Sequence, residues 1–337
     1  MKLRYTTLLA GAALAATQPA MAQNAALPAP DQRSVLHIVG ENDSFGLRTS
    51  DRWYTSGARL GYTSPEAALP APLAALDGAL GRLLGPAQSR WGVALGQNIY
   101  TPQNLLRSTA NPADRPYAGY LYLEGGLTRR TNSTLDSFNL QLGVVGPAAG
   151  AQGMQNAIHS LNGGRRAAGW RNQLRDEPTI NLSWQRIWRL PLAQFGSSGV
   201  GIDALPALEL AAGTVAAYAQ AGARVRIGSG LGRDFGGARV RPGGGDAVAP
   251  VGDGLGWYVF GGASGRVVGR DVFLDGSTFR SNSASITKRN AVGDLELGAA
   301  AFWRNVRLSY THDWRSNEFA GQRKPSTFGI LALAVAF

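Results

Sequence analysis

The chain has 337 residues, 44% of them hydrophobic and only 16% charged, with 45 glycines, 17 prolines and no cysteine. Soluble globular domains average roughly 25% charge, so a cytosolic globule is not the default, and the missing thiols exclude disulfide frameworks, thiolate metal sites and cysteine nucleophiles. The formal charge of +11 rests on arginine, because Lys2, Lys288 and Lys324 are the only lysines; the planar guanidinium suits phosphate and carboxylate recognition.

Taken in chain order, the first element is a targeting segment. Lys2 and Arg4 precede the apolar run Leu8 to Ala16, and Ala20-Met21-Ala22 supplies the small residues of a cleavage site. Residues 1–22 therefore read as a secretory signal peptide, followed by a single domain over 23–337. No later stretch approaches the roughly 18 consecutive apolar residues of a membrane helix. An exported chain of this kind is periplasmic, secreted or a closed outer-membrane barrel.

Period-2 alternation decides for the barrel. Phe138, Leu140, Leu142 and Val144 alternate with Asn139, Gln141 and Gly143, and Ala221, Ala223, Val225 and Ile227 alternate with Gly222, Arg224 and Arg226. One parity meets lipid and the arginines point inward. Twelve such segments recur, near 34–42, 55–63, 90–99, 118–129, 136–145, 179–189, 203–215, 220–229, 255–268, 291–302, 305–315 and 326–337. The count is even, as bacterial barrels require. The predicted fold is all-β: a twelve-stranded antiparallel transmembrane barrel with a short α-helix in an extracellular loop. A periplasmic β-sandwich is the alternative, disfavoured because alternation there is less persistent. The terminal strand ends in Phe337, which resembles the signal read by barrel-assembly machinery, and Trp53, Tyr54, Tyr100, Tyr117, Trp257 and Trp314 suit aromatic girdles.

With both termini in the periplasm, connections 43–54, 100–117, 146–178, 216–219, 269–290 and 316–325 fall outside. Those at 64–89, 130–135, 190–202, 230–254 and 303–304 fall inside. Two of the inside ones, 64–89 and 230–254, exceed the expected tight turns. The first carries Leu69, Leu73, Leu76, Leu80, Leu83 and Leu84, the pattern of an amphipathic helix at the inner interface or plugging the barrel end.

Polar residues that no strand needs gather at the outer rim: Asn42 and Asp43 after the first strand, Thr55 at the start of the second, and Gln152 to His159 after the fifth. Helical spacing sets Gln155 and His159 one turn apart on one face, with Met154 and Ile158 on another. Of three histidines, His37 falls within the first strand and His312 near the end of the eleventh. An imidazole can take a proton from water, while a hard cation held by carboxylate, amide and carbonyl oxygens polarises an ester carbonyl. Asn42 and Asp43 are ligands of that kind, although Asn-Asp pairs also serve ordinary turns. No Gly-x-Ser-x-Gly elbow is present.

With these residues assembled, the sequence resembles the outer-membrane lipid A deacylase family, whose characterised members are calcium-dependent lipid A 3′-O-deacylases. The matching stretches are Glu41-Asn42-Asp43, Asp51 to Gly57, Asp114-Arg115-Pro116-Tyr117-Ala118-Gly119, Gly143 to Pro147 with Gln155 to His159, and Gly169 to Leu174 with Asp176-Glu177-Pro178. The resemblance implies a site between the outer barrel wall and a loop helix, with water activated by His159 attacking the 3′ ester. Carried over by motif, Asn42, Asp43 and Thr55 form the polar wall, Asn42 and Asp43 hold Ca2+, and Gln155 lies near the reacting centre. A basic residue after the third strand contacts the site in some members, and Arg107 is the nearest candidate. Some also carry a glutamate six residues after the histidine, where this chain has Arg165; Asp176 or Glu177 could compensate.

Lipid A sits in the outer leaflet with its phosphates at the height of the outer rim, so lipopolysaccharide and the outer membrane are the expected partners. Arg48, Arg52, Arg107, Arg115, Arg165 and Arg166 lie in connections that could meet those phosphates, with Arg107 and Arg115 the substrate-binding candidates. General attraction to anionic lipopolysaccharide explains each equally well. Two rival functions remain: a passive pore with selectivity tuned by Arg59, Arg224 and Arg226, and a calcium-using outer-membrane phospholipase with Ser56 or Ser160 as nucleophile.

Overall fold

The computed structural model describes residues 27–45, 52–66, 68–162, 165–197, 199–237, 239–241, 244–245 and 255–337. The signal-peptide reading, Arg48 and Asp51 lie outside them. Twelve strands close a barrel: β1 (Val35–Asn42), β2 (Trp53–Thr63), β3 (Gln88–Thr101), β4 (Ala118–Arg130), β5 (Thr134–Val145), β6 (Glu177–Trp188), β8 (Val200–Gly213), β9 (Ala216–Ser229), β12 (Leu255–Asp271), β13 (Ala291–Trp303), β14 (Val306–Arg315) and β15 (Ser326–Ala336). Each overlaps one of the twelve predicted segments. Closure joins β1 to β15 from Val35↔Ala336 to Asn42↔Gly329, and reciprocal main-chain bonds of 2.9 Å between Ser34 and Phe337 clasp the chain ends together.

The alternation follows the pleat. Leu36, Ile38, Leu60, Leu123 and Leu182 stand exposed on the outer face, while His37, Arg59, Glu124 and Asn181 are buried within. A closed sheet leaves no unpaired edge in hydrocarbon, which is what allows strands to span it. Among the described residues no helix is long and apolar enough to cross a membrane. One strand is extra: β7 (Leu190–Phe195) continues past β6 and pairs with the start of β8.

Two sequence expectations are corrected here. Helix α1 (Ala71–Leu84) forms in the first long connection, but none of its residues is buried; Asp77 ties it to the end of the barrel through Arg129 and Ser89, at 2.7 Å each. The lumen is instead entered by the second long connection. Its short hairpin, β10 (Val240–Arg241) with β11 (Gly244–Gly245), touches β1 and β2 on one wall and β5 and β6 on another. Arg239 pairs with Glu296 and Asp313, and the Val240 N–H donates to Glu41 at 2.7 Å. Asp234 meets Arg307 at 2.7 Å and Arg226 at 2.6 Å. The second correction concerns the girdle. Tyr54 turns inward and donates to Glu41, Tyr100 stacks on Phe273 at 4.1 Å, Trp53 packs on Phe319, and Tyr117 lies in a buried cluster with Trp170. Trp257 does stand on the exposed face.

Candidate active site on the barrel wall

The rim far from the chain ends carries the site residues. Asn42 ends β1 with its side chain on the outer parity, and its amide oxygen accepts from the Ser44 N–H at 2.7 Å and from the Ser44 hydroxyl. This local capture is the usual habit of Asn at a turn. It folds Asp43–Phe45 into one 3-10 turn. Asp43 is buried, and its Oδ2 accepts from the Arg52 N–H at 2.8 Å, so the two ends of the connection meet on this carboxylate.

Thr55 owes its position to a bulge. The register of β2 against β3 slips between Tyr54 and Ser56, which lets Tyr54 point into the lumen while Thr55 reaches Thr101, the hydroxyls 2.7 Å apart. Trp53 begins the strand at φ 66, a left-handed conformation costing about 1–3 kcal/mol for a bulky residue, and its packing on Phe319 and Leu274 holds it there. Thr101 was not among the sequence candidates; as one more threonine at a strand end it carries no signal of its own.

Helix α2 (Ala151–Asn162) forms where the polar run predicts it and lies against β3 and β4. Gly150, at φ 69, supplies the left-handed turn that starts it. The Gln97 amide donates to the Ala149 carbonyl at 2.6 Å, and a Cβ on Gly119 would come within 2.5 Å of Ala151 Cβ. The helix therefore rests on bare backbone. Gly119 is in register with Ile99, Ile99 with Ser56, and Ser56 with Asn42. Three strand spacings of about 4.8 Å put the helix start about 14 Å across the wall from Asn42.

Gln155 and His159 lie on the buried side of α2, at 2% and 7% exposure. His159 Nδ1 is 2.6 Å from the Arg165 carbonyl oxygen. A carbonyl can only accept, so Nδ1 is the donor in this contact. The partner at position 165 is thus main chain, and the absent glutamate is not needed for this orientation. Asp176 and Glu177 are engaged elsewhere: Asp176 caps Ala148 at 2.7 Å, and Glu177 accepts from Thr278 at 3.0 Å. The other histidines are not on this helix; His37 is in the lumen, and His312 stacks edge-on against Trp314 at 4.2 Å.

Arg107 sits exposed on the connection after β3, its Nε donating to Thr109 at 3.2 Å. That connection is tied to the segment after α2, through Ala168 N–H to the Leu105 carbonyl at 2.8 Å and the Asn172 amide to the Ser108 carbonyl at 2.8 Å. Between them lies a cavity of about 320 Å³ lined by Asn104, Arg107, Asn111, Tyr117 and Asn172 among others. Arg115 is a correction. Its side chain is wholly buried, 4.5 Å over the Tyr100 ring and 3.5 Å from Glu318, so the guanidinium presents no surface to a lipid phosphate.

A model of the family of outer membrane protein LpxR matches residues 8–337. The chain belongs to the LpxR family. Among solved structures, LpxR from Salmonella typhimurium superposes with a TM-score of 0.73 at 21% identity, covering 90% of this chain and 100% of that one. The two share the barrel fold. The β-domain of the Bordetella autotransporter BrkA aligns with a TM-score of 0.40 at 11% identity, over 92% of this chain and 100% of that one. The translocator domain of NalP from Neisseria meningitidis gives 0.37 at 10% identity, over 90% and 87%. No curated protein matches the chain.

Family membership places the barrel in the outer membrane. For the expected Ca2+, the donors at the end of β1 are all oxygen, with one buried carboxylate, Asp43, beside the Asn42 amide. That set suits a hard cation. Among the described residues no three His, Asp or Glu side chains converge. Further ligands would be hydroxyls, main-chain carbonyls or water.

Proposed function

We propose that this LpxR-family barrel hydrolyses the ester that joins the 3′-linked acyloxyacyl chain to lipid A, at the height of the outer leaflet. The observation that carries the reading is the 2.6 Å contact between His159 Nδ1 and the Arg165 carbonyl, which orients the imidazole on a helix seated against the lipid-facing wall. His159 Nε2 takes a proton from water as the oxygen attacks the ester carbonyl. It returns that proton to the sugar oxygen as the C–O bond breaks, and the acyl chain leaves as a carboxylic acid. Asn42 and Asp43 would hold Ca2+, whose chemistry is to polarise the carbonyl and stabilise the developing oxyanion. In this reading Thr55, bonded to Thr101, belongs to the polar wall, and Arg107, exposed beside the cavity, receives a phosphate of the substrate.

The lumen argues against a pore, since Arg59 and Arg226 are paired with Glu124 and Asp203 and the β10–β11 hairpin lies inside. Ser160 is an unpromising nucleophile, its hydroxyl donating to the Asn156 carbonyl at 2.8 Å. The test is mass spectrometry of lipid A incubated with the folded barrel in detergent, with Ca2+ and then with chelator. A Ca2+-dependent loss of the 3′-linked acyl mass, abolished in His159→Ala, is expected. An unchanged spectrum, with phospholipid cleaved instead, would overturn the reading.

A further inference from the structure

On the outer face of β3 to β6 the side chains change character toward the periplasmic end. Leu95, Leu123, Leu142 and Ile180 lie in register across these strands and are exposed, as a belt in hydrocarbon should be. Further down the same face comes a row of Trp91, Leu127, Phe138 and Trp184, and beneath it a row of Ser89, Arg129, Asp136 and Arg186. Aliphatic, then aromatic, then charged is the order in which a bilayer passes from acyl chain to headgroup. The charged row therefore marks the level of the inner-leaflet headgroups.

Helix α1 is fastened to that row, on the outside of the barrel and not across its mouth. Asp77 accepts from Arg129 Nε and from the Ser89 hydroxyl, and Arg129 Nη2 donates to the Gly85 carbonyl at 2.8 Å. Just before the helix, the Trp91 indole donates to the Ala68 carbonyl at 3.1 Å. A Cβ on Gly81 would stand 3.4 Å from Arg129 Nη2, so Asp77 and Gly81 form the margin of the helix turned to the charged row. At 3.6 residues per turn, Leu76 and Leu83 lie about 100–160° around the helix from that margin. The half-buried Leu73, Leu80 and Leu84 fall between the two margins and face the wall, which turns Leu76 and Leu83 toward the aromatic row and the belt above it. These two leucines are 44% and 81% exposed.

We propose that α1 is a phospholipid-binding element: the stripe of Leu76 and Leu83 inserts where the headgroups and acyl chains of the inner leaflet meet. The occupant is a glycerophospholipid because the stripe continues the face that the barrel already presents to lipid. Arg82, exposed in the last turn, pairs with no carboxylate among the described residues, and its long side chain can reach a headgroup phosphate. The length of this connection then has a reason. A tight turn would end the wall at the charged row, whereas α1 adds a foot lying along the leaflet. The inference is independent of the hydrolase reading.

The test exploits the absence of cysteine from the chain. Leu76→Cys, Leu83→Cys and Gly78→Cys, the last on the opposite side where an added side chain meets open space, are each spin-labelled in the full barrel. The barrels are reconstituted in vesicles of phosphatidylethanolamine and phosphatidylglycerol. None of the three sites is buried, so each variant should keep the heat-modifiable mobility of the folded barrel. Labels at 76 and 83 should collide with dissolved oxygen in preference to a water-soluble nickel chelate, and report a depth of about 5–10 Å within the boundary of headgroups and acyl chains. The label at 78 should collide mainly with the chelate. Equal chelate access at all three positions would overturn the proposal and leave the stripe to water or to a protein partner.

Discussion

Replacing Gly119 by alanine adds a single methyl group at the point where α2 rests on the barrel. Gly119 has an ordinary strand conformation, so the backbone of β4 accepts the change, and the consequence is confined to what the methyl meets. An ideal Cβ there lies 2.5 Å from Ala151 Cβ and 3.2 Å from Ala149 Cβ. Carbon atoms rest at about 3.5–4.0 Å, so the helix start must retreat by at least about 1 Å. Its far end carries Gln155 and His159, while Asn42, Asp43 and Thr55 stay fixed on β1, the turn after it and β2. Overpacking of this kind costs about 1–3 kcal/mol locally, and a displacement of about 1 Å at a reacting group can lower turnover on the order of 100-fold. The twelve-strand ladder is untouched, so heat-modified electrophoretic mobility should match wild type, and the urea unfolding midpoint should fall by no more than that local cost allows. The assay is the initial rate of acyl release from lipid A, followed by mass spectrometry. A folded Gly119→Ala barrel with turnover within threefold of wild type would refute the idea that the seating of α2 sets the geometry of the site.

Three further outcomes are expected. Asp43→Ala should raise the Ca2+ concentration needed for half-maximal acyl release or abolish the release, as measured by calcium titration. Asp234→Ala should destabilise the barrel by about 3–5 kcal/mol in urea unfolding, because it strands Arg307 in the lumen without its carboxylate and leaves Arg226 with Asp203 alone, and planar-bilayer recordings of the variant should show conductance that wild type lacks. Burial alone would raise the Asp31 carboxyl, but the Arg33 hydrogen bonds and the charge of Arg90 outweigh it and hold the group at about 2, below its usual 3.8. A depressed acid stabilises the fold above its unfolded value and loses that contribution as pH falls toward the folded one. The contact between Asp31 and Glu66 at the start of the domain should therefore loosen between about pH 4 and pH 2, read as faster amide exchange at Glu66, and Asp31→Asn should abolish that pH dependence.

The sequence by itself determined the barrel. Hydrocarbon on one face and a polar lumen on the other impose a strict period of two, and each strand shows it locally without help from its neighbours. The helix carrying Gln155 and His159 was legible for the same reason, since a period of 3.6 needs only the segment itself. What only the tertiary structure decided were contacts between distant segments. The segment that enters the lumen is glycine-rich and without periodicity, and its partners Glu41, Glu296 and Asp313 come from three different strands. Tyr54, Tyr100 and Trp53 belong to the residue types of an interfacial girdle, yet their direction depended on a bulge and on side chains from remote loops. Arg115 looked like any rim arginine until Glu318 and Tyr100 closed around it. Trp170 stood within a recognised motif, but its bond to Gln155 required the chain to turn back across the helix. Periodicity is written in adjacent residues, whereas the partner of a buried polar group is chosen by whatever folding brings within hydrogen-bond reach.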